Sequence, residues 1–437
     1  MTEASNERAA ATDHPQVPVR QVAAAVVGNA LEFYDFTTYA LFAAELGRTF
    51  FPSHTAFVSL MMSLLVYGVG FVSRPLGAVV IGRMGDRIGR KPAMLLSFGL
   101  MGLGMLGLIL IPPYAMIGAA APALLVLCRL VQGFALGGEV GPTTAFLIEA
   151  ARPSSRGLVG AWQSASQSVA SLVGAAAGLL LAHVLTPDQL QAFGWRIAFG
   201  IGVLVLPFGL LLRRSLPETL HHLETGVVAA GPGWRAQVRP IAIGLMMIMS
   251  FTTSTYVLLY MTTYASQTLH MGKAASFAAS VANGVAGIVF TLLGGWLSDR
   301  FARKPVMIVA RSLFLVSALP AFMIMAHERT ALSVILGTGV MSALSSMSVG
   351  VALVALTESF RKETRSTTMA VLYAVAVTVF GGAAQPAVSA LAKATNDPIA
   401  PAWYLMGAAL VGVIAMALMP ETRPRRQLTD IRPVELA

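Results

Sequence analysis

The stretch GRMGDRIGRKP, residues 82–92, occurs a second time in altered form as GGWLSDRFARKP, residues 294–305. Both contain D-R-x-x-R-K-P, and the two aspartates, Asp86 and Asp299, stand 213 residues apart. Two further echoes follow in the same order. FLIEAARPSSRG (146–157) matches ALTESFRKETRS (355–366), which pairs Glu149 with Glu358 and Arg156 with Arg365 at an offset of 209. LPET (216–219) matches MPET (419–422). Three correspondences in one order mean two homologous halves, and parallel repeats of this kind are a layout of transporters that rock around a central site.

What lies between the repeated loops is apolar. The 437 residues are 56% hydrophobic and 11% charged, with a mean hydropathy of +0.72. A soluble chain carries about 25% charged residues. Hydrophobic runs recur at approximately 20–43, 57–82, 92–112, 122–150, 157–183, 194–213, 239–264, 274–297, 305–326, 331–357, 367–392 and 401–419. Each is about 20 residues or longer, enough for a helix to cross a hydrocarbon core of about 30 Å. The expected fold is therefore an all-α polytopic membrane protein, with twelve transmembrane helices in two pseudo-symmetric six-helix halves. The expected organisation is a cytoplasmic N-terminal tail (1–19), a first half (20–213), a cytoplasmic linker (214–238), a second half (239–419) and a cytoplasmic tail (420–437).

A net charge of +10 could suggest nucleic acid, but placement decides otherwise. Of the 30 Lys and Arg, 22 fall in the termini and the even-numbered loops. Only Arg48, Arg196, Lys273, Arg329 and Lys393 fall on the other side, while Arg74, Arg129 and Arg311 lie within runs. Such a bias places both termini in the cytoplasm and assigns the basic balance to topology. No nucleic-acid partner is expected; the lipid bilayer is. The polar first 20 residues contain Pro15 and Pro18, so no cleavable signal peptide is visible and the first run serves as the insertion signal. Cys128 is the only cysteine, which excludes an internal disulfide. The seven histidines sit in tails, loops or run ends, and no Cys/His cluster suggests a metal. No Ser/His/Asp arrangement or phosphate loop points to an enzyme.

The duplicated charged loop and the two-half layout resemble the major facilitator superfamily over nearly the entire chain. GNALEFYDFTTYALF (28–42), RLVQGFALGGEVGP (129–142) and WRIAFGIG (195–202) resemble, more specifically, its metabolite:proton symporter family. The resemblance implies the major facilitator fold in a bacterial inner membrane, working as a monomer without a cofactor and driven by the proton gradient. Members of that family carry citrate and other tricarboxylates, 2-oxoglutarate, aromatic acids such as shikimate, and proline or betaine. Two departures stand out. Phe33 replaces a tryptophan common in the family, and Ala302 replaces the glycine of the loop pattern, which suggests a degenerate second copy of the loop.

Charged residues inside the runs need a reason, because an ionised side chain at a bilayer centre costs about 2.5–3.5 kcal/mol on insertion scales. Asp35 lies about 12 Å below the outer end of the first run and Arg129 about 10 Å below that of the fourth, at 1.5 Å per residue. Asp35 is thus the best partner for Arg129 by depth. Glu32 is one turn deeper on the same face, and Glu139 lies about 25 Å in, nearer the cytoplasm. In one reading Arg129 holds a substrate carboxylate while Glu32, Asp35 or Glu139 takes the co-transported proton. In the other, Asp35 and Arg129 are a permanent structural pair. With no histidine in mid-membrane, the proton carrier is expected to be a carboxylate. Tyr39, Gln163, Ser164, Gln167, Tyr256, Tyr260, Asn283, Tyr373 and Gln385 are candidate walls of a polar cavity, each of which could equally be a packing residue. Arg74 and Arg311 are expected near the cytoplasmic ends, snorkelling or gating. GAAAG (174–178) is a small-xxx-small pattern for close helix packing.

The repeated loops read as a cytoplasmic gate built from Arg83, Asp86, Arg87, Arg90, Glu149 and Arg156 in the first half and Asp299, Arg303, Glu358 and Arg365 in the second. Asp86 is expected to cap the third helix and pair with an arginine at a neighbouring helix end. The function expected is proton-coupled symport of a small carboxylate, a di- or tricarboxylate such as citrate or tricarballylate. Aromatic acids, zwitterionic osmolytes and, through the PET motifs, sugars are alternatives. The acid-bearing first run and the GGE of the fourth count against a sugar porter. The fifth helix also lacks the Gly-Pro motif usual in the superfamily's drug antiporters, which favours symport.

Overall fold

Water is absent from a bilayer core, so each spanning segment must satisfy its own backbone, and the helix does this within one segment. A computed structural model describes residues 19–88, 90–137, 143–144, 146–148, 151–152, 154–214, 235–360 and 365–423, and among them no strand occurs. The first half contains α1 (Val19–Leu41), α2 (Ala56–Val72, continued by Arg74–Arg87), α3 (Arg90–Leu110), α4 (Ala120–Leu136), α5 (Arg156–Val184) and α6 (Trp195–Arg214). The second half contains α7 (Arg235–Leu259), α8 (Lys273–Arg300), α9 (Arg303–Glu328), α10 (Ala331–Ser359), α11 (Arg365–Ala376, continued by Gly382–Thr395) and α12 (Ala400–Leu418). Among the described residues, eight helical stretches are long and apolar enough to cross a membrane by length and composition alone. In α3 and α4 the apolar helices are shorter, Leu95–Leu110 and Ala120–Leu136, and α1 is diluted by Asn29, Glu32 and Asp35.

The halves meet along two seams, α5 against α8 and α10, and α2 against α11. Small residues make the first seam possible. Gly157 of α5 lies against Gly295 of α8, Leu172 against Gly284, and Gly178 of the GAAAG pattern against the Phe277 ring. Proline shapes the second. Pro75 has no N–H to offer the carbonyl of Phe71 four residues back, and α2 is interrupted at Ser73. The Thr378 hydroxyl of α11, in the other half, donates to that Phe71 oxygen at 2.8 Å. Pro386 frees the Gly382 carbonyl in the same way, and Gly68 packs against it so closely that a Cβ there would come within 2.6 Å of the oxygen.

The break in α2 corrects one expectation. Arg74 is not at a cytoplasmic helix end. The second piece of α2 carries the helix 13 residues beyond it, to Arg87, and Arg74 is only 2% exposed. A helical side chain leans toward its own N-terminus, which here returns the guanidinium to the bundle centre. Arg311 is likewise fully buried, donating to Ser250 and Ser254 of α7 rather than snorkelling. Glu139 and Glu149 lie outside the described residues, as does most of the 214–238 linker, and so do the side chains of Asp86, Arg87, Arg90 and Arg365.

Candidate functional site

The acids of α1 and the arginine of α4 meet in the first half. Arg129 Nη1 donates to Asp35 Oδ2 at 2.8 Å and to Gln132 Oε1 at 2.7 Å. Gln132 Nε2 donates to Asp35 Oδ1 at 3.0 Å. Asp35 and Arg129 have no solvent exposure, so the full attraction of the charges acts against their desolvation. Aromatic faces cover the rest of the guanidinium, with the Phe36 and Tyr39 ring centres 4.2 and 4.6 Å from Arg129 Cζ. Residues 35, 36 and 39 share one face of α1, which is how a single helix supplies both the counter-ion and the platform. The sequence does not single out Gln132, although its position three residues after Arg129 is a signal for it. Glu32 is buried one turn from Asp35.

Beside this cluster a cavity of about 70 Å³ lies between the halves. A space of about 10–15 Å³ on this measure admits one water, so the cavity has room for several. Phe33, Phe36 and Thr37 of α1, Tyr67 of α2 and Ser164, Gln167, Ser168 and Ser171 of α5 form one side. Thr255 and Tyr256 of α7, Asn283 of α8 and Ser345 and Ser346 of α10 form the other. A smaller lobe of about 30 Å³ shares Ser164, Gln167 and Tyr256 and reaches Tyr373 of α11. The structure therefore gathers Ser164, Gln167, Tyr256, Asn283 and Tyr373 around one space.

Four other candidates do not line it. Gln163 faces α1, where its Nε2 donates to Asn29 Oδ1 at 3.1 Å. Gln385 donates to the Tyr256 carbonyl at 3.1 Å, and Tyr260 is packed within the core. Tyr39 donates to the Ser63 carbonyl at 3.2 Å and serves as the floor beneath Arg129. An intramembrane polar side chain has a backbone or neighbour to satisfy, and helical phase decides whether it faces that neighbour or the cavity.

Each end of the α5–α8 seam carries a polar latch. At the end away from the repeated loops, Lys273 Nζ meets Glu45 Oε1 at 2.5 Å, joining the halves through two residues that lie outside the hydrophobic runs. At the other end, Asp299 accepts the Gly157 and Leu158 N–H groups at 2.8 and 2.9 Å. It thus caps α5 of the opposite half, whereas the cap expected of its counterpart Asp86 was on the helix that follows. The helix after Asp299 is capped instead by Glu421 of the MPET echo, which accepts the Arg303 and Lys304 N–H groups at 3.0 and 2.9 Å. Arg303 donates to Asp299 at 2.6 Å and pairs with Glu358 at 3.3 Å. The second loop therefore keeps ion pairs of Arg303 with Asp299 and Glu358. Ala302 adopts a backbone suited to the glycine it replaces, with φ of 150°. Arg83 is exposed and Arg156 half-buried at the same end.

The sequence pattern described as Major Facilitator Superfamily matches residues 25–288 and 243–434. The chain is 36% identical over 395 residues to a citrate-proton symporter of Klebsiella pneumoniae, covering 89% of this chain and 88% of that one. It is 30% identical over 426 residues to a proline/betaine transporter of Escherichia coli strain K12, covering 93% of this chain and 84% of the other. The solved structure of the proton:xylose symporter XylE bound to 6-bromo-6-deoxy-D-glucose superposes with a TM-score of 0.78 at 18% identity, over 93% of this chain and 96% of that one, a likeness of fold alone. The chain belongs to the major facilitator superfamily and, within it, to the metabolite:proton symporters.

Proposed function

We propose that this metabolite:proton symporter imports a small carboxylate, a di- or tricarboxylate such as citrate or tricarballylate, together with protons by alternating access. The observation that carries the reading is the charge of the bundle interior. Away from the helix ends, three guanidiniums, Arg74, Arg129 and Arg311, are each 2% exposed or less, against two carboxylates, Glu32 and Asp35, among the described residues. Counted over the described residues, the interior stays positive with both acids ionised and draws in an anion, whereas a zwitterion leaves that charge uncompensated. The names of the 36%-identical relatives agree. Those of the 30%-identical relatives support proline or betaine as the second reading.

Coupling follows from the same arithmetic. A proton on Asp35 cancels the counter-ion of Arg129 and makes the interior more positive, which strengthens attraction for an incoming carboxylate. Each ligand thereby favours the other, as linkage requires. Protons are needed in any case, since a negative interior potential opposes anion entry by about 2.3 kcal/mol per charge per 100 mV. In this reading Arg129 is the partner of Asp35, while Ser164, Gln167, Tyr256, Asn283 and Tyr373 surround the substrate. The repeated loops and both termini face the cytoplasm, Asp299, Arg303 and Glu358 close that side, and a single chain is the working unit with no cofactor. Uptake of labelled citrate, 2-oxoglutarate, shikimate and betaine into proteoliposomes under an imposed pH gradient tests it. Accumulation of citrate that collapses with the gradient is expected. Accumulation of betaine alone, or carboxylate uptake indifferent to the gradient, refutes it.

A further inference from the structure

Of the three buried guanidiniums, one has an acid and one a set of serine oxygens, although Nε and Nη2 of Arg129, like those of Arg74, make no hydrogen bond. Arg129 has Asp35 and Gln132, and Arg311 has the hydroxyls of Ser250 and Ser254 and the Ser250 carbonyl. Arg74 differs. It is 2% exposed, and its Nε and Nη2 have no hydrogen-bond partner. No carboxylate of the described residues pairs with it. Its faces rest on Phe71 and Phe36, with ring centres 4.5 and 5.0 Å from Cζ, and the Tyr256 hydroxyl of the other half sits against it. Phe36 and Tyr256 are themselves walls of the central cavity, so Arg74 stands one side chain behind that wall.

A buried charge with no acid partner among the described residues is unfavourable, and a bound anion is one way to complete it. The two vacant nitrogens are informative, because Nε and Nη2 form one edge of the guanidinium, the edge that takes a carboxylate side-on through two parallel hydrogen bonds. We infer that Arg74 is the substrate-binding cation of this transporter, taking one carboxylate of the substrate on its Nε/Nη2 edge, with the Tyr256 hydroxyl as the partner from the opposite half. This rests on the carboxylate reading above and adds the residue that enforces it. Withdrawal of the Tyr256 hydroxyl from the guanidinium opens it toward the cavity that Tyr256 also lines. Because Arg74 and Tyr256 belong to different halves, a carboxylate between them ties substrate occupancy to the approach of α2 and α7.

The test uses the full chain purified in detergent, with citrate, tricarballylate, shikimate and betaine as probes in equilibrium binding and thermal-shift measurements. Arg74→Gln is expected to weaken binding of citrate and tricarballylate by about 10- to 100-fold, the range for a lost charge-assisted hydrogen bond. Its unliganded melting temperature should equal or exceed that of the unmodified protein, because the charge removed had no acid partner among the described residues; a purely structural arginine would shift it downward. Arg74→Lys keeps the charge but not the fork and should fall between the two. Tyr256→Phe should lose a few-fold in affinity with unchanged melting. If Arg74→Gln yields no folded protein, melts lower, or binds citrate as the unmodified chain does, the assignment is overturned while carboxylate symport stands. If the unmodified chain binds betaine and no carboxylate, the carboxylate reading itself fails, and the assignment with it.

Discussion

Replacing Asp35 by asparagine removes one charge and almost no volume. In the structure Asp35 accepts from Arg129 at 2.8 Å and from Gln132 at 3.0 Å. Asparagine can retain one amide contact, but Arg129 is left as a charged group with no exposure, supported by Gln132 and the rings of Phe36 and Tyr39. Breaking a buried pair from one side costs about 3–5 kcal/mol, because the survivor stays desolvated. Chemical unfolding in detergent micelles, followed by tryptophan fluorescence, should show a loss of that size for Asp35→Asn. Arg129→Gln should lose a comparable amount. The double variant should be more stable than the sum of the singles predicts, with a coupling toward the upper end of the usual range of about 0.5–3 kcal/mol. In proteoliposomes Asp35→Asn should retain substrate exchange and lose proton-driven accumulation, while Glu32→Gln, assayed beside it, separates a carrier from a supporting acid. A stable Asp35→Asn with no coupling to Arg129 would refute the reasoning, since the pair would then not compensate its own desolvation.

Four other perturbations follow. Gly68→Val places carbon against the Gly382 backbone, where a Cβ already comes within 2.6 Å, and should destabilise the chain by about 1–3 kcal/mol and suppress uptake; full uptake would show that the α2–α11 seam does not close this tightly. Ala302→Gly relieves a backbone at φ of 150° and should raise stability by about 1 kcal/mol in thermal unfolding, with no gain counting against strain there. Asp299→Asn should slow transport more than it weakens binding, because it loosens the cap on α5 without touching the cavity; lost binding with intact turnover would contradict a gate. Burial opposes ionisation of Glu421, but the N–H groups of Arg423, Lys304, Arg303 and Thr422 outweigh it and hold its carboxyl below the usual 4.5. A depressed carboxylate adds stability above its unfolded value that fades as pH falls through the folded one. The stability gap between the unmodified chain and Glu421→Gln should therefore shrink on acidification below about pH 4.5, and a constant gap would remove the cap.

The legible parts of this molecule were those governed by period and by cost. The repeat at 82–92 and 294–305 implied two halves, and helical rise alone brought Asp35 and Arg129 to one depth, where the structure joins them. Facing was not legible. Gln163 and Ser164 are adjacent in the sequence, yet one turns to Asn29 and the other to the cavity. Arg74 reads as a cytoplasmic-end residue when its run is taken to end near 82, whereas the helix continues past the break at Pro75 to Arg87.

By itself the sequence determined that the chain crosses the membrane in two related helical halves with carboxylates and arginines in their interior, because insertion energy and periodicity are local properties. Which arginine is compensated, and which is left open beside a cavity, only the tertiary structure decided. Pairing depends on the phase, breaks and approach of helices far apart in the chain, and Arg129 meets Asp35 across 94 residues while Arg74 meets no acid of the described residues at all.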